Sequence, residues 1–343
     1  MNRKRSVTYC MCSLLCSAAL TCIYNLHSAS VATICHYDKK TLHFSLRQLN
    51  DTSVNISVYL EYIYKASDAR TLLVLFTSFK NEPRRRVIQE NTLRNWASFR
   101  PVVQPVLFDS HSDKRLLDMA LSLGWHILPT AESHQGLPYL KQLFKAVAAK
   151  YKSTFYGFSN GDILYEYGMI DTLVAVRDAL RELKQALVIG RRTNVSIGNS
   201  TRLFDPRRVT SAARQNGTLF QHDAEDYFFI AHNDFIWEQV PDIVIGRPGY
   251  DNFLVAKAWR AGVPVIDATN TLVALHQSGN DGAFTWRNQA NIAFNWDAIG
   301  QFNFAQGATS HVPFETRIVG SKIEIWHRII KGDPRIYQVN AQC

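Results

Sequence analysis

From Leu72 onward the chain alternates short, continuous apolar runs with stretches whose apolar residues recur every three or four positions, and this alternation restricts the possible folds most. Leu72–Phe76 is apolar throughout and is followed by a break at Asn81–Pro83. The segment from Arg84 to about Ser98 then places Ile88, Thr92 and Trp96 on one helical face. Val102–Phe108 reads as a second strand ending at Asp109, Asp113–Leu123 as a helix closed by Gly124, and His126–Leu128 as a third strand. Pro138 stands where a first helical turn accepts it. Leu140, Leu143, Phe144, Val147 and Tyr151 follow at helical spacing, before a fourth strand at Phe155–Phe158. Strands and helices alternating in units of this size predict an α/β fold, a mostly parallel central sheet flanked by helices on both faces.

The later half continues the theme less regularly. A long helix is expected from about Leu164 to Gln185 and a strand at Leu187–Ile189. The polar stretch from Thr193 to His222 reads as a surface excursion. Tyr227–Ala231 is a strand, Tyr250–Arg260 a helix closed by Gly262 and Pro264, and Val265–Asp267 and Leu272–Leu275 are short strands. The tail from Trp286 to Cys343 is rich in aromatics.

Of the 343 residues, 46% are hydrophobic and 20% charged, which excludes a disordered, collagenous or coiled-coil chain. One segment has the length and apolarity of a membrane span. Arg3, Lys4 and Arg5 precede Ser6–Tyr37, which has no acidic residue, lysine or arginine. Two readings stand: a type II signal anchor over residues 6–26, or a signal peptide cleaved near Ser28-Ala29-Ser30. The first predicts a single-pass protein of the Golgi or ER membrane with a lumenal catalytic domain, the second a secreted protein. The organisation expected is a basic tail (1–5), anchor (6–26), stem (27–70), catalytic domain (71–285) and C-terminal extension packed on it (286–343). Sequons at Asn50, Asn55, Asn194, Asn199 and Asn216 suit a glycoprotein of the secretory route. Cys10, Cys12, Cys16 and Cys22 lie in the apolar run, while Cys35 and Cys343 could pair or stay free. The net charge of +9 is spread out, with dense points only at Arg3–Arg5, Arg84-Arg85-Arg86, Arg191-Arg192 and Arg207-Arg208. Solvated faces are the default reading of the last three, and no nucleic-acid partner is expected.

In an open α/β sheet, ligands bind beyond the carboxyl ends of the strands. Thr77 and Ser78 follow the first strand, Asp109 the second, Asn160 and Asp162 the fourth, Arg191 follows Ile189, and His276 follows Leu275. No glycine-rich dinucleotide fingerprint follows the first strand, and no P-loop or nucleophile-elbow motif occurs. In Phe155–Asp162 an apolar strand delivers the oxygen donors Asn160 and Asp162, which suit a Mg²⁺ or Mn²⁺ ion bridging a diphosphate. The alternative for Asp162 is to cap a following helix.

Three blocks occur in order: Asp226-Tyr227-Phe228, then Ile245-Gly246-Arg247-Pro248-Gly249-Tyr250-Asp251-Asn252, then Val265-Ile266-Asp267-Ala268-Thr269 leading to His276-Gln277. In these the chain resembles a poorly characterised branch of the nucleotide-diphospho-sugar transferase superfamily, glycosyltransferases of the A-type fold, over about Leu72 to Phe284. The resemblance implies a transferase that moves a sugar from a nucleotide-diphosphate donor to a hydroxyl on a glycan, glycoprotein or glycolipid, inverting, with Asp251 as catalytic base. It places the family's Asp-x-Asp on Asn160-Gly161-Asp162, without the first carboxylate, and makes Asp162 and His276 ligands of Mn²⁺ or Mg²⁺. Arg191 and Arg247 are candidates for phosphate or an acidic sugar, or for structural carboxylates. Thr77, Ser78, Asp109, Asn160 and Asn252 complete the expected substrate-binding set. For Asp251 the alternative is helix capping, and for His276 a structural hydrogen bond. Asn160 in place of an acid motivates a second function, a nucleotide-sugar or glycan-binding protein of weak or no activity. A hydrolase using Asp162 and Asp251 as paired carboxylates is the third.

Overall fold

The computed structural model describes residues 56–66, 70–79, 82–109, 113–130, 133–198, 201–231, 235–278 and 291–328. All belong to the compact unit Ser45–Cys343. In chain order the elements are α1 (Ile56–Ala66), β1 (Thr71–Ser78), α2 (Arg86–Ala97), β2 (Val103–Asp109), α3 (Lys114–Ser122), β3 (His126–Pro129), β4 (Ser133–His134) and β5 (Leu137–Pro138). Next come α4 (Leu140–Lys150), β6 (Ser153–Ser159), β7 (Ile163–Tyr165), α5 (Gly168–Leu183), β8 (Ala186–Ile189), β9 (Arg192–Ser196), α6 (Pro206–Asn216) and β10 (Thr218–Leu219). The last are β11 (Tyr227–Ala231), α7 (Tyr250–Arg260), β12 (Val265–Asp267), β13 (Ala274–Ser278), α8 (Phe294–Ile299), β14 (Phe314–Val319) and β15 (Lys322–His327).

Nine strands form the central sheet in the order β15-β14-β12-β8-β11-β6-β1-β2-β3. It is mixed with a parallel majority. β11 runs antiparallel to both β6 and β8, β15 antiparallel to β14, and the remaining pairings are parallel. The continuous apolar run of β1 follows from cover on both faces. Leu73 and Leu75 pack with Trp96, Phe155, Tyr165 and Phe229 on one side, Val74 and Phe76 with Leu140, Phe144, Phe158 and Phe228 on the other. Each such fully buried side chain contributes about 1.5–3 kcal/mol. Helices α2 and α5 cover the first face, α4 and α7 the second.

Four expectations are corrected. Ile163–Tyr165 is a strand, because it completes a smaller sheet, β10-β9-β13-β7, by pairing antiparallel with β13; the helix therefore begins at Gly168. The region 193–222 is not an irregular excursion. β9 pairs parallel with β13, and α6, capped by Asp205 and opened by Pro206, buries Val209 in a small core with Val195, Leu203 and Leu275. Its helix carries so few apolar residues that periodicity is faint. Pro138 closes the β4–β5 hairpin, and its carbonyl accepts from the Ile245 N–H at 3.1 Å. The Golgi or ER membrane location is also corrected: no helix among the described residues is long and apolar enough to cross a membrane. Segment 6–26, Cys35 and Cys343 lie outside the described residues.

Candidate active site

Because β11 runs against β6, its beginning lies beside the end of β6, and the two meet at Asn160. The Asn160 N–H donates to the Asp226 carbonyl at 2.9 Å, and its Nδ2 donates to Asp226 Oδ1 at 2.6 Å. Asn160 Oδ1 accepts from the Tyr250 hydroxyl at 3.2 Å, so one amide ties β6 to β11 and to the start of α7. Asp226 is held further by Arg192, whose NH1 reaches both carboxylate oxygens at 3.0 and 2.8 Å. An ionised aspartate at 160 could not donate to Asp226. The residue standing where an Asp-x-Asp motif has its first acid is therefore a required amide donor.

Gly161 makes the turn possible: a Cβ there would lie 2.6 Å from the Phe79 ring and 3.3 Å from Thr77 Oγ1. The turn leads into β7, so Asp162 caps no helix. Its Oδ2 accepts from Arg85 at 2.5 Å and lies 3.5 Å from His276 Nε2, while its Oδ1 is buried without a hydrogen-bond partner. Burial, the largest effect, pushes this carboxyl up, but the charges and hydrogen bonds of His276 and then Arg85 outweigh it and hold it well below the usual carboxylate range.

His276 reaches this point because β13 pairs with β7 on one side and β9 on the other, opposite Ile163 and Asn194. Its Nδ1 lies 3.1 Å from both Asn194 Oδ1 and Ser278 Oγ. Asn194 Oδ1 can only accept, so Nδ1 carries a proton, and Nε2 faces Asp162. Burial pulls the imidazole down, yet Asp162 and then Asp226 raise it above its ordinary value. Asn194, read from the sequence as a glycosylation site, has its amide oxygen engaged in this cleft.

The second half of the site stands at the start of α7. Gly249 precedes the helix at φ 91°, a left-handed conformation that glycine adopts without strain, and no side chain caps the helix. Asp251 thus lies in the first turn and is not a cap. Its carboxyl is pushed up to about 7, first by burial and also by Asp226 and Asp223, against the lowering effect of its backbone hydrogen bonds. Beside it Glu225, only 1% exposed, is pushed well above its ordinary value by burial, then by Asp251 and Asp226. Glu225 Oε2 accepts from Asn252 Nδ2 at 3.2 Å, and Oε1 is buried without a partner. Asn252 also donates to the Asp223 carbonyl at 3.1 Å, so its amide braces the wall behind Asp251.

The structure thus joins Asn160, Asp162 and His276 in one cluster and links it through Tyr250 to Asp251 and Asn252. Of the other expected residues, Thr77 stands against the turn at Gly161, while Arg191, Arg247 and Asp109 engage other partners. The Arg191 guanidinium bonds the Phe220 carbonyl, and its N–H donates to the Thr269 hydroxyl at 2.9 Å. Arg247 donates to the carbonyl of Gly246 in its own loop at 2.8 Å. Asp109 ends β2, two strands from β6, and its carbonyl accepts from the Thr130 N–H at 3.2 Å. Thr77 is 1% exposed with its hydroxyl unpartnered, and Ser78 ends β1. Sequence reasoning missed Arg85, Arg192, Asn194, Glu225 and Asp226. The one available signal was Asp226 in the first ordered block.

A divalent ion fits Asp162 and His276: Asp162 has a buried oxygen to offer, and Mg²⁺ or Mn²⁺ characteristically takes one or two protein donors and completes its shell with phosphate and water. No group of three or more His, Cys, Asp or Glu residues able to hold a metal occurs among the described residues.

No protein-family description and no curated protein sequence matches the chain. Solved structures are similar to it in architecture. Glucosyl-3-phosphoglycerate synthase from Mycobacterium tuberculosis, in complex with phosphoglyceric acid, overlaps 71% of this chain and 85% of its own at 16% identity and a TM-score of 0.40. The same enzyme with Mn²⁺ and uridine-diphosphate-glucose overlaps 78% and 90% at 16% identity and a TM-score of 0.41. A mannosyltransferase from Pyrobaculum calidifontis, with GDP-Man and Mn²⁺, overlaps 66% and 67% at 14% identity and a TM-score of 0.41. These structures hold nucleotide sugars or phosphoglyceric acid. At TM-scores near 0.4 the overlap gives no residue of this chain a role.

Proposed function

We propose that the chain is an inverting glycosyltransferase that passes a sugar from a nucleotide-diphosphate donor to a hydroxyl acceptor, with Asp251 as the base and residues 71–285 as its catalytic part. The observation that carries this reading is that Asp162, held ionised against Arg85 and His276, is joined to Asp251, pushed up to about 7, through the Tyr250–Asn160 hydrogen bond. Two groups whose surroundings drive their proton affinities apart are suited to different chemical tasks.

In this reading the donor diphosphate lies over the turn Asn160–Asp162, where Arg85 supplies positive charge. A divalent ion held by Asp162 and His276 would add Lewis acidity there, neutralising charge on the leaving diphosphate. Asp251 accepts the proton of the acceptor hydroxyl as its oxygen forms the new bond to the anomeric carbon, and the sugar–phosphate bond breaks on the opposite face. Asn252 and Glu225 fix the first turn of α7 so that the carboxylate keeps its place. A base with a value near 7 is ionised in part at neutral pH and still takes up a proton readily.

The non-catalytic alternative rested on Asn160 as a lost acid, and the bond from Asn160 to Asp226 gives that residue another reason. The hydrolase alternative needs one carboxylic acid as proton donor. With Asp162 held ionised, Asp251 would have to be that acid, and the two readings are separated by whether turnover requires a nucleotide-sugar donor. The test is to incubate the protein with a panel of nucleotide sugars and Mn²⁺ and to measure released nucleoside diphosphate and glycosylated product. Transfer abolished by Asp251→Asn is the expected result; a panel yielding no turnover with any donor sinks the proposal.

A further inference from the structure

Arg84-Arg85-Arg86 looks in sequence like one solvated basic point, yet its three side chains take three directions. Pro83–Arg85 is a single 3₁₀ turn, which sets successive side chains about a third of a turn apart. Arg84 is directed to solvent, its side chain 66% exposed beside Glu82. Arg86 meets Glu90 at 3.3 Å and Asp113 at 3.2 Å. Arg85 turns inward to Asp162.

We propose that Arg85 is a displaceable counter-cation: it holds Asp162 while no donor is bound and shifts onto the diphosphate of an incoming nucleotide sugar, freeing Asp162 for a divalent ion. The inference rests on the reading of this cleft as a nucleotide-sugar site. The oxygen that Arg85 engages, Oδ2, is the one facing His276 Nε2. A divalent ion held by Asp162 and His276 would have to approach on the side where the guanidinium now stands. Charge points the same way. With Arg85 in place, a dication would enter beside a guanidinium and an imidazole with Asp162 as the carboxylate between them, a strongly repulsive arrangement at distances of a few ångströms. A diphosphate brings the negative charge that removes this repulsion, and its oxygens match the planar fork of arginine. The Arg85 side chain is 26% exposed at the end of its 3₁₀ turn, so it is open to an incoming ligand.

Metal and nucleotide then bind with positive coupling, and the coupling is reciprocal. The experiment uses the full-length chain. Bound Mn²⁺ is followed by the electron paramagnetic resonance of the free ion, with and without UDP or GDP, and nucleotide binding in EDTA is followed by calorimetry. In the wild type one of the two nucleotides tightens Mn²⁺ binding by about 5–150-fold. Arg85→Gln binds Mn²⁺ alone about tenfold more tightly, binds nucleotide in EDTA about tenfold more weakly, and loses most of the coupling. Arg85→Lys, which keeps the charge without the fork, falls between the two and serves if the glutamine variant melts early. An Arg85→Gln protein whose affinity for Mn²⁺ alone is unchanged or lower overturns the role of Arg85 while leaving the site reading intact. A wild type that binds neither nucleotide, with or without Mn²⁺, overturns the site reading and this inference together.

Discussion

Asp162 and Asp251 are linked through one hydrogen bond, Tyr250 to Asn160, yet their surroundings push them in opposite directions. Asp162 ends a turn after β6 and has a guanidinium and an imidazole against it, so its charge is compensated. Asp251 starts α7 among Glu225, Asp226 and Asp223, so its charge is resisted. The same side chain thus holds its proton weakly in one place and far more firmly in the other. The difference lies in the neighbours that the fold supplies, and two of them, Arg85 for Asp162 and Asp226 for Asp251, are remote in sequence from the carboxylate they act on.

The contrast breaks most visibly at Asp251. Asp251→Asn should lower the transfer rate by about 10²–10⁴-fold while leaving nucleotide affinity unchanged, since a positioned base contributes that much. In the wild type kcat/KM should rise through a limb centred near pH 7, where Asp251 loses its proton. Equal losses in nucleotide affinity would instead make Asp251 a binding residue.

Asn160→Asp tests whether the cleft lacks an acid or needs an amide. A carboxylate there loses the donor to Asp226 at 2.6 Å and faces a like charge, so stability should fall by about 1–3 kcal/mol in urea unfolding, with turnover falling too. A gain in Mn²⁺-dependent activity would reverse that interpretation.

Acid titration sharpens the Asp162 half. Its carboxyl is lower in the folded chain than in the unfolded one, so its stabilising contribution is present above about pH 4 and is lost as pH falls further. Below that point Asp162→Asn should unfold with a shallower pH dependence, by up to about 1.4 kcal/mol per pH unit.

The smallest effect is the reverse one at Asp251. A carboxyl raised in the fold stabilises below its unfolded value and ceases to do so as pH rises through about 7. Asp251→Asn should therefore be more stable than the wild type at pH 8, by about 0.5–2 kcal/mol, and match it at pH 3.5. Thermal melts at the two pH values measure this directly.

Much of the scaffold was legible before any coordinates. Val265–Asp267 and Tyr250–Arg260 have the boundaries their apolar pattern and closing residues indicate. β7 and β9 were not legible, because Ile163–Tyr165 suits a helix as well as a strand and Arg192–Ser196 shows almost no apolar alternation. Both are settled by pairing with β13, a partner about 80 to 110 residues away along the chain. At the site, placing residues at strand ends put Asn160 and Asp162 correctly beyond β6, whereas His276, expected past a strand ending at Leu275, lies inside β13. That rule treats every strand as parallel, so it passed over Asp226, which enters from the start of an antiparallel one.

By itself the sequence determined the α/β class, most strands of the central sheet and two carboxylates, Asp162 and Asp251. Periodicity and turn residues are local properties, and local preferences decide where helices and strands form. Tertiary structure alone decided which charge faces which: Arg85 against Asp162, Asn160 and Arg192 against Asp226, Glu225 beside Asp251. Electrostatic interaction depends on distance in space and on the water that burial removes, and neither quantity is written along the chain.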